Sequence, residues 1–136
     1  MDEQTRVLIE VRLDRAHEDI ETARELFNSG RYRAVVNRSY YAIFSVTTAL
    51  LLTQRIERSK HAGVESAFIQ HFIKKGIIET EYGKIYDYIR KKREESDYSA
   101  RITIDKETAE KVVDNAEKFI VRLAEYLRTQ FGLDNY

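Results

Sequence analysis

"GRYRAVVNRSYYAIFSVTTALLL", residues 30–52, is the stretch on which the fold turns. From Arg31 to about Thr53 it is apolar enough to be buried on nearly every side, yet it carries Asn37, Arg38, Ser45 and Thr48. At 100° per residue, Asn37, Arg38, Tyr41, Ser45 and Thr48 fall on one narrow stripe, because their spacings are three or four. The opposite side, with Val36, Tyr40, Ile43, Val46, Leu50 and Leu51, forms a wide apolar surface. Such a helix is expected to be covered twice, by its own bundle and by a second body, with the polar stripe facing a crevice. A guanidinium buried alone would cost several kcal/mol, so Arg38 is expected to meet a carboxylate on the first helix or an anion in a cleft at a subunit interface.

The flanking segments repeat the helical period. Residues 4–28 place Leu8, Val11, Ala16, Ile20, Ala23 and Phe27 at mostly three- and four-residue spacings, and "NSG" at 28–30 supplies a stop. A third pattern over about 61–75 carries Val64, Phe68, Phe72 and Ile73 and ends at "KKG". A fourth over about 77–95 directs Ile78, Tyr82, Ile85, Tyr86 and Ile89 inward, then becomes strongly charged in "RKKREE". "SDYSARITI", residues 96–104, breaks the period and is expected to be an ordered loop. Asp105 can N-cap a last helix whose stripe runs Ala109, Val112, Val113, Ala116, Ile120, Leu123 and Leu127, with "DNY" at 134–136 expected to fray.

Composition supports the same picture. A chain of 136 residues without proline and with only five glycines is rich in helix formers and poor in turn chemistry. At this length one core suffices without a staple, so the prediction is a single all-α domain spanning 1–136, a five-helix up-and-down bundle. The absence of cysteine removes disulfide and thiolate chemistry and suits the cytoplasm. The start "MDEQTRVLIEVR" is unlike a signal peptide, and no apolar run approaches the ~20 residues that span a bilayer. The 23 basic and 23 acidic residues cancel. Basic groups nevertheless concentrate in residues 31–60 and acidic ones in 1–28, which can place a basic surface on a neutral molecule.

"GRYRAVVNRSYYAIFSVTTALLL", then "KHAGVESAFIQHFIKKGIIETEYGKIYDYIRKKREESDYS" at 60–99, then a long amphipathic final helix, resembles the HEPN (higher eukaryotes and prokaryotes nucleotide-binding) domain family. More narrowly, it is similar to the small stand-alone prokaryotic branch often encoded beside minimal nucleotidyltransferases. The resemblance covers Asn28 to Leu127. It implies a helical bundle that forms a homodimer with a cleft between subunits. In active members that cleft is a metal-independent ribonuclease site, carried by an R-x(4–6)-H motif just before the final helix. There the arginine steadies charge on the phosphate and the histidine moves protons.

At the matching place this chain reads "RKKREESDYS": Arg90 and Arg93 are available, but Asp97 stands nearest to where the histidine belongs. A carboxylate is ionised at neutral pH and donates protons poorly, and losing acid–base help costs ~10² to 10⁴ in rate. The expectation is therefore a binding module for nucleotide, RNA or a nucleotidyltransferase partner, with cleft residues Asn37, Arg38, Tyr41, Ser45, Arg90 and Arg93. The alternatives are a ribonuclease toxin using Arg93 with a substitute proton carrier, and a plain helical scaffold. Arg12 with His17 and Arg55 with His61 also satisfy the motif's spacing, but they lie far from the last helix, and His17, His61 and His71 read as surface or packing histidines. The run from Arg90 to Arg93 suits either phosphate contacts or a helix C-terminus. Tyr98 sits where related pairs carry a tyrosine that the partner modifies with AMP; otherwise it is a tyrosine packed on the bundle. No paired Glu-x-x-His motif and no glycine-rich phosphate loop is present, so neither metal nor cofactor is expected.

Overall fold

The structure, a computed structural model, describes residues 1–99 and 101–133. Five helices follow one another: α1 (Glu3–Asn28), α2 (Tyr32–Leu52), α3 (His61–Phe68), α4 (Thr80–Tyr98) and α5 (Lys106–Phe131). α3 runs on without a break into a π-helical segment, Ile69–Ile73. No strand occurs among the described residues, and the all-α bundle is as expected. The fraying expected at 134–136 lies outside the described residues.

The ends are set by local chemistry. Asp105 caps α5 by accepting from the Thr108 N–H at 2.8 Å, as expected, and Asp2 caps α1 in the same way by accepting from the Thr5 N–H at 2.7 Å. Gly132, at φ 65°, turns the chain out of α5 with its N–H on the Arg128 carbonyl. Arg6 in the second turn of α1 donates to the carbonyls of Phe131 and Gly132, while Arg24 near the end of α1 holds Asp114 and Glu117 in the first half of α5. These two clamps lock α1 and α5 antiparallel.

α2 is the central rod. Val35, Val36, Tyr40, Ala42, Ile43, Val46, Ala49, Leu50 and Leu51 are buried, and α1, α3, α4 and α5 all pack on it. Its double cover thus comes from its own chain. Under its middle lies an aromatic cluster in which Phe68 meets Phe119 at 5.6 Å, and Tyr86 meets Phe119 at 5.9 Å and Tyr40 at 6.4 Å.

Three sequence expectations need correction. Leu8 and Val11 do not face the core but are 38% and 47% exposed; the buried stripe of α1 is Ile9, Leu13, Ala16 and Ala23. The run "VLIEVRL" is apolar on two faces, so periodicity alone could not choose between them. The fourth helix begins at Thr80 rather than 77, because the N–H groups of Ile77 and Ile78 both turn back to the Phe72 carbonyl. It also continues through Ser96, Asp97 and Tyr98, which therefore form a last helical turn and not a loop.

The π segment has its own logic. The Lys74 N–H reaches the Ile69 carbonyl at 2.8 Å, a wider turn that brings Ile69 and Ile73 against α4 at Gly83. A Cβ at Gly83 would stand 3.0 Å from Ile69 Cδ1. The glycine is what admits the close approach.

Candidate functional site

The polar stripe of α2 does not open into one cleft. Arg38, Tyr41, Ser45 and Thr48 line a groove of about 560 Å³ against Arg12, Arg15, Glu18 and Asp19 of α1. There Arg38 meets the Asp19 carboxylate at 3.3 Å, so the partner on the first helix is found. Arg12 is likewise engaged, with Glu57 at 3.5 Å and the Thr48 carbonyl at 3.4 Å. The groove is of mixed sign and its two central guanidiniums have carboxylate partners. Asn37 lies elsewhere, in a second groove of similar size with Arg31, Arg33, Ser96 and Asp97, formed by the start of α2 and the end of α4.

The two arginines of α4 part company. Arg90 is held by three carboxylates, Glu65 at 2.7 Å, Asp87 at 2.5 Å and Glu94. Burial raises the Glu65 carboxyl above its ordinary value, and the Arg90 charge opposes that rise. Arg90 therefore pins α3 to α4 and has no guanidinium edge left for a ligand. The "RKKR" run also lies inside α4 rather than at its C-terminus, with Lys91 on Asp87 and Lys92 on Glu95.

Arg93 is the opposite case. Its side chain is only 19% exposed, and its guanidinium carbon stands 4.3 Å from the centre of the Tyr40 ring. Among the described residues the guanidinium donates no hydrogen bond; Nε is buried without a partner, and the Asp97 carboxylate is 3.8 Å from Nη1. A charged donor set so placed costs stability unless an anion completes it. Burial raises the Tyr40 phenol above its ordinary value, with Arg93 opposing, so the ring remains a neutral platform.

His61, the first residue of α3, packs on the same face. Its ring lies 4.5 Å from Phe44, 5.7 Å from Tyr40 and 5.9 Å from Tyr41. Burial, then the charge of Arg93, lower its pKa below the ordinary histidine value. His61 packs on these rings, and the Arg93 charge reaches it there, which linear spacing could not reveal.

The last turn of α4 is fixed by a residue the sequence reading passed over. Arg33, in the first turn of α2, donates to the carbonyls of Ser96, Ser99 and Ile102. α4 has no basic residue in its own last turn, so the cation for its free carbonyls comes from another helix. That missing base was the available signal. The anchored turn leaves Asp97 exposed and Tyr98 90% exposed, so Tyr98 is not packed on the bundle.

An all-helical chain with "NRSYYAIF" on its central rod and "REESDY" at the end of the penultimate helix is matched by the HEPN domain over residues 9–126. The chain belongs to the HEPN domain family. A Methanocaldococcus jannaschii protein named "Putative toxin MJ0605" is 37% identical over 126 residues, covering 93% of this chain and 90% of the relative. A second protein of that organism, "Putative toxin MJ0142", is 34% identical over 88% of this chain and 81% of its own length. A Thermotoga maritima "UPF0332 protein" is 35% identical over 83% and 86%. In this HEPN chain Asp97 lines the Asn37 groove, Arg93 lies on Tyr40 and Tyr98 is exposed, whereas Arg38, Tyr41 and Ser45 border the α1 groove and Arg90 is tied to α3. No helix is long and apolar enough to cross a membrane among the described residues.

Proposed function

We propose that this HEPN chain is the RNA- or nucleotide-binding member of a toxin–antitoxin-like pair, a cytoplasmic homodimer whose partner is a minimal nucleotidyltransferase. The observation that carries the reading is Arg93, a mostly buried guanidinium laid on Tyr40 that donates no hydrogen bond among the described residues. A phosphate is the anion that uses such a planar donor edge best. The toxin names of two relatives support the pairing. Tyr98 is 90% exposed, one residue beyond Asp97 of the Asn37 groove's lining, so a partner's active site could reach its hydroxyl for nucleotidyl transfer.

The test is binding of a fluorescent single-stranded oligonucleotide to the purified protein. Arg93→Met is expected to weaken binding at least tenfold and Arg90→Met to leave it within twofold. Equal binding by the Arg93 variant defeats the reading. Co-expression with the neighbouring nucleotidyltransferase gene is expected to yield a co-purifying complex and an AMP mass increment on Tyr98. A second reading, a metal-independent ribonuclease with a substitute proton carrier, is favoured by one contact, that of His61 with the ring bearing Arg93.

A further inference from the structure

We infer that a second copy of this chain docks on the outward face of α1, the two α1 helices pairing antiparallel about a twofold axis between residues 9 and 10. The inference rests on the proposed homodimer and names the surface that forms it.

The apolar surface of the molecule is concentrated there. Of the six large apolar side chains exposed among the described residues, four, Met1, Val7, Leu8 and Val11, fall in the first eleven positions. Glu3, Gln4, Val7, Leu8 and Val11 line one shallow hollow of about 470 Å³. The core of the bundle does not use this face, because Ile9, Leu13, Ala16 and Ala23 bury the other side of α1. A contiguous aliphatic patch that its own fold leaves in water marks a contact surface. α2 is already wrapped by α1, α3, α4 and α5 of its own chain, so a second copy seats on an outer helix.

The face is complementary to itself. At about 100° per residue, Gln4, Leu8, Val11 and Arg15 fall in one narrow sector of α1, and the pairs 4 with 15 and 8 with 11 share one midpoint. A twofold axis at that midpoint sets Leu8 of each copy against Val11 of the other, and Arg15 of each against the Glu3–Gln4 end of the other. The charges agree with this arrangement. Glu3 and Arg15 are both exposed, and neither is in an ion pair among the described residues, so each copy offers a cation where the other offers a carboxylate. Asp14 falls opposite Thr5, and no carboxylate in the paired stretch meets another. A parallel pair would instead place Glu3 beside Glu3 and Arg15 beside Arg15. The hollow also adjoins the α1–α2 groove, which begins at Arg12 and Arg15. The covered area thereby extends beyond three aliphatic side chains toward the ~800 Å² per partner of a standard interface.

Sedimentation equilibrium of the full-length protein reads the monomer–dimer constant. Wild type is expected to dimerise. Val11→Glu, at an exposed position, is expected to weaken the dimer by about tenfold or more while keeping the helical circular dichroism and the urea midpoint. Arg15→Glu is expected to weaken it too, by setting carboxylate against Glu3, and Glu3→Arg in the same chain to restore it to within about threefold of wild type. A role confined to the fold gives no such rescue. Because the chain has no cysteine, one thiol placed in each of two proteins reports the register. Leu8→Cys mixed with Val11→Cys is expected to give a mixed disulfide, and Leu8→Cys mixed with Val121→Cys, exposed on α5, is expected to give none. A dimer that withstands both Val11→Glu and Arg15→Glu overturns the assignment and spares the homodimer, as does coupling of the Leu8 thiol to Val121 in preference to Val11. Loss of the dimer in Arg15→Glu without rescue by Glu3→Arg overturns the antiparallel register. A protein that is monomeric at every concentration and forms no mixed disulfide removes both the interface and the homodimer.

Discussion

Two arginines one helical turn apart, Arg90 and Arg93, carry the same charge and do opposite work. Arg90 neutralises Glu65 in a setting where the carboxyl is raised by burial, so Arg90→Met leaves that carboxylate, 16% exposed, without its partner. The expected loss is about 1–3 kcal/mol in urea unfolding, below that of a fully buried pair because Asp87 and Glu94 remain solvated. The sign with pH follows from linkage. With Arg90 gone the native Glu65 pKa rises further above its unfolded value, so the native state binds the extra proton and stability is recovered as pH falls through the carboxylate range. The deficit of Arg90→Met against wild type should therefore be largest at neutral pH and shrink on acidification; a deficit independent of pH would contradict the pairing. Arg93→Met exchanges a guanidinium that donates no hydrogen bond among the described residues for an apolar chain on Tyr40. The lost cation–π contact and the relieved Nε nearly cancel, so stability is expected within about 1 kcal/mol of wild type or above it. A residue whose removal spares folding but abolishes binding is one kept for a ligand.

At the scale of the element, the end of α4 shows how far a one-dimensional reading reaches. The charge run "RKKREE" was plain in the sequence, as were the aliphatic and tyrosine positions of α4 and most of the buried stripe of α5, all but Phe119 and Ala124, because each depends on neighbours three or four residues away. That α4 continues to Tyr98 was not legible, because its last carbonyls are met by Arg33, some sixty residues earlier in the chain. That His61 and Arg93 both contact the Tyr40 ring was hidden for the same reason: only the packing of α3 and α4 on α2 creates it. The π turn at Ile69–Ile73 likewise answers to Gly83 on another helix. If Arg33 is the C-cap of α4, Arg33→Ala should raise amide exchange across residues 96–104 and destabilise the protein by about 1–3 kcal/mol, while the amides in the middle of α1 and α5 keep their protection up to the new global limit. Unchanged exchange in the 96–104 segment would show that the turn holds itself.

For the whole molecule, the decisive quantity is charge, and it argues against a nucleic-acid interface of the usual basic kind. The 23 cations and 23 anions cancel, and the structure pairs many of them: Arg6 with Glu10, Arg24 with Asp114 and Glu117, Arg38 with Asp19, Lys118 with Glu81, Arg122 with Glu79. A surface so neutralised has little long-range field with which to draw in a polyanion, and few cations to place on successive phosphates. Binding should then depend on the mostly buried Arg93 guanidinium and on base stacking beside it. Single strands release counterions in proportion to the phosphates neutralised, with a slope of log K against log salt of about −0.7 for each. One phosphate for each Arg93, two in the proposed dimer, gives a slope between about −0.7 and −1.4. A protein using the basic run of α4 as a strip would approach about −3. Fluorescence anisotropy of a labelled oligoribonucleotide between about 50 and 200 mM salt distinguishes the two regimes. The shallow slope, reduced by roughly one contact's worth in Arg93→Met, is the expected result, and a steep one insensitive to Arg93 would place the RNA on a different face of the bundle.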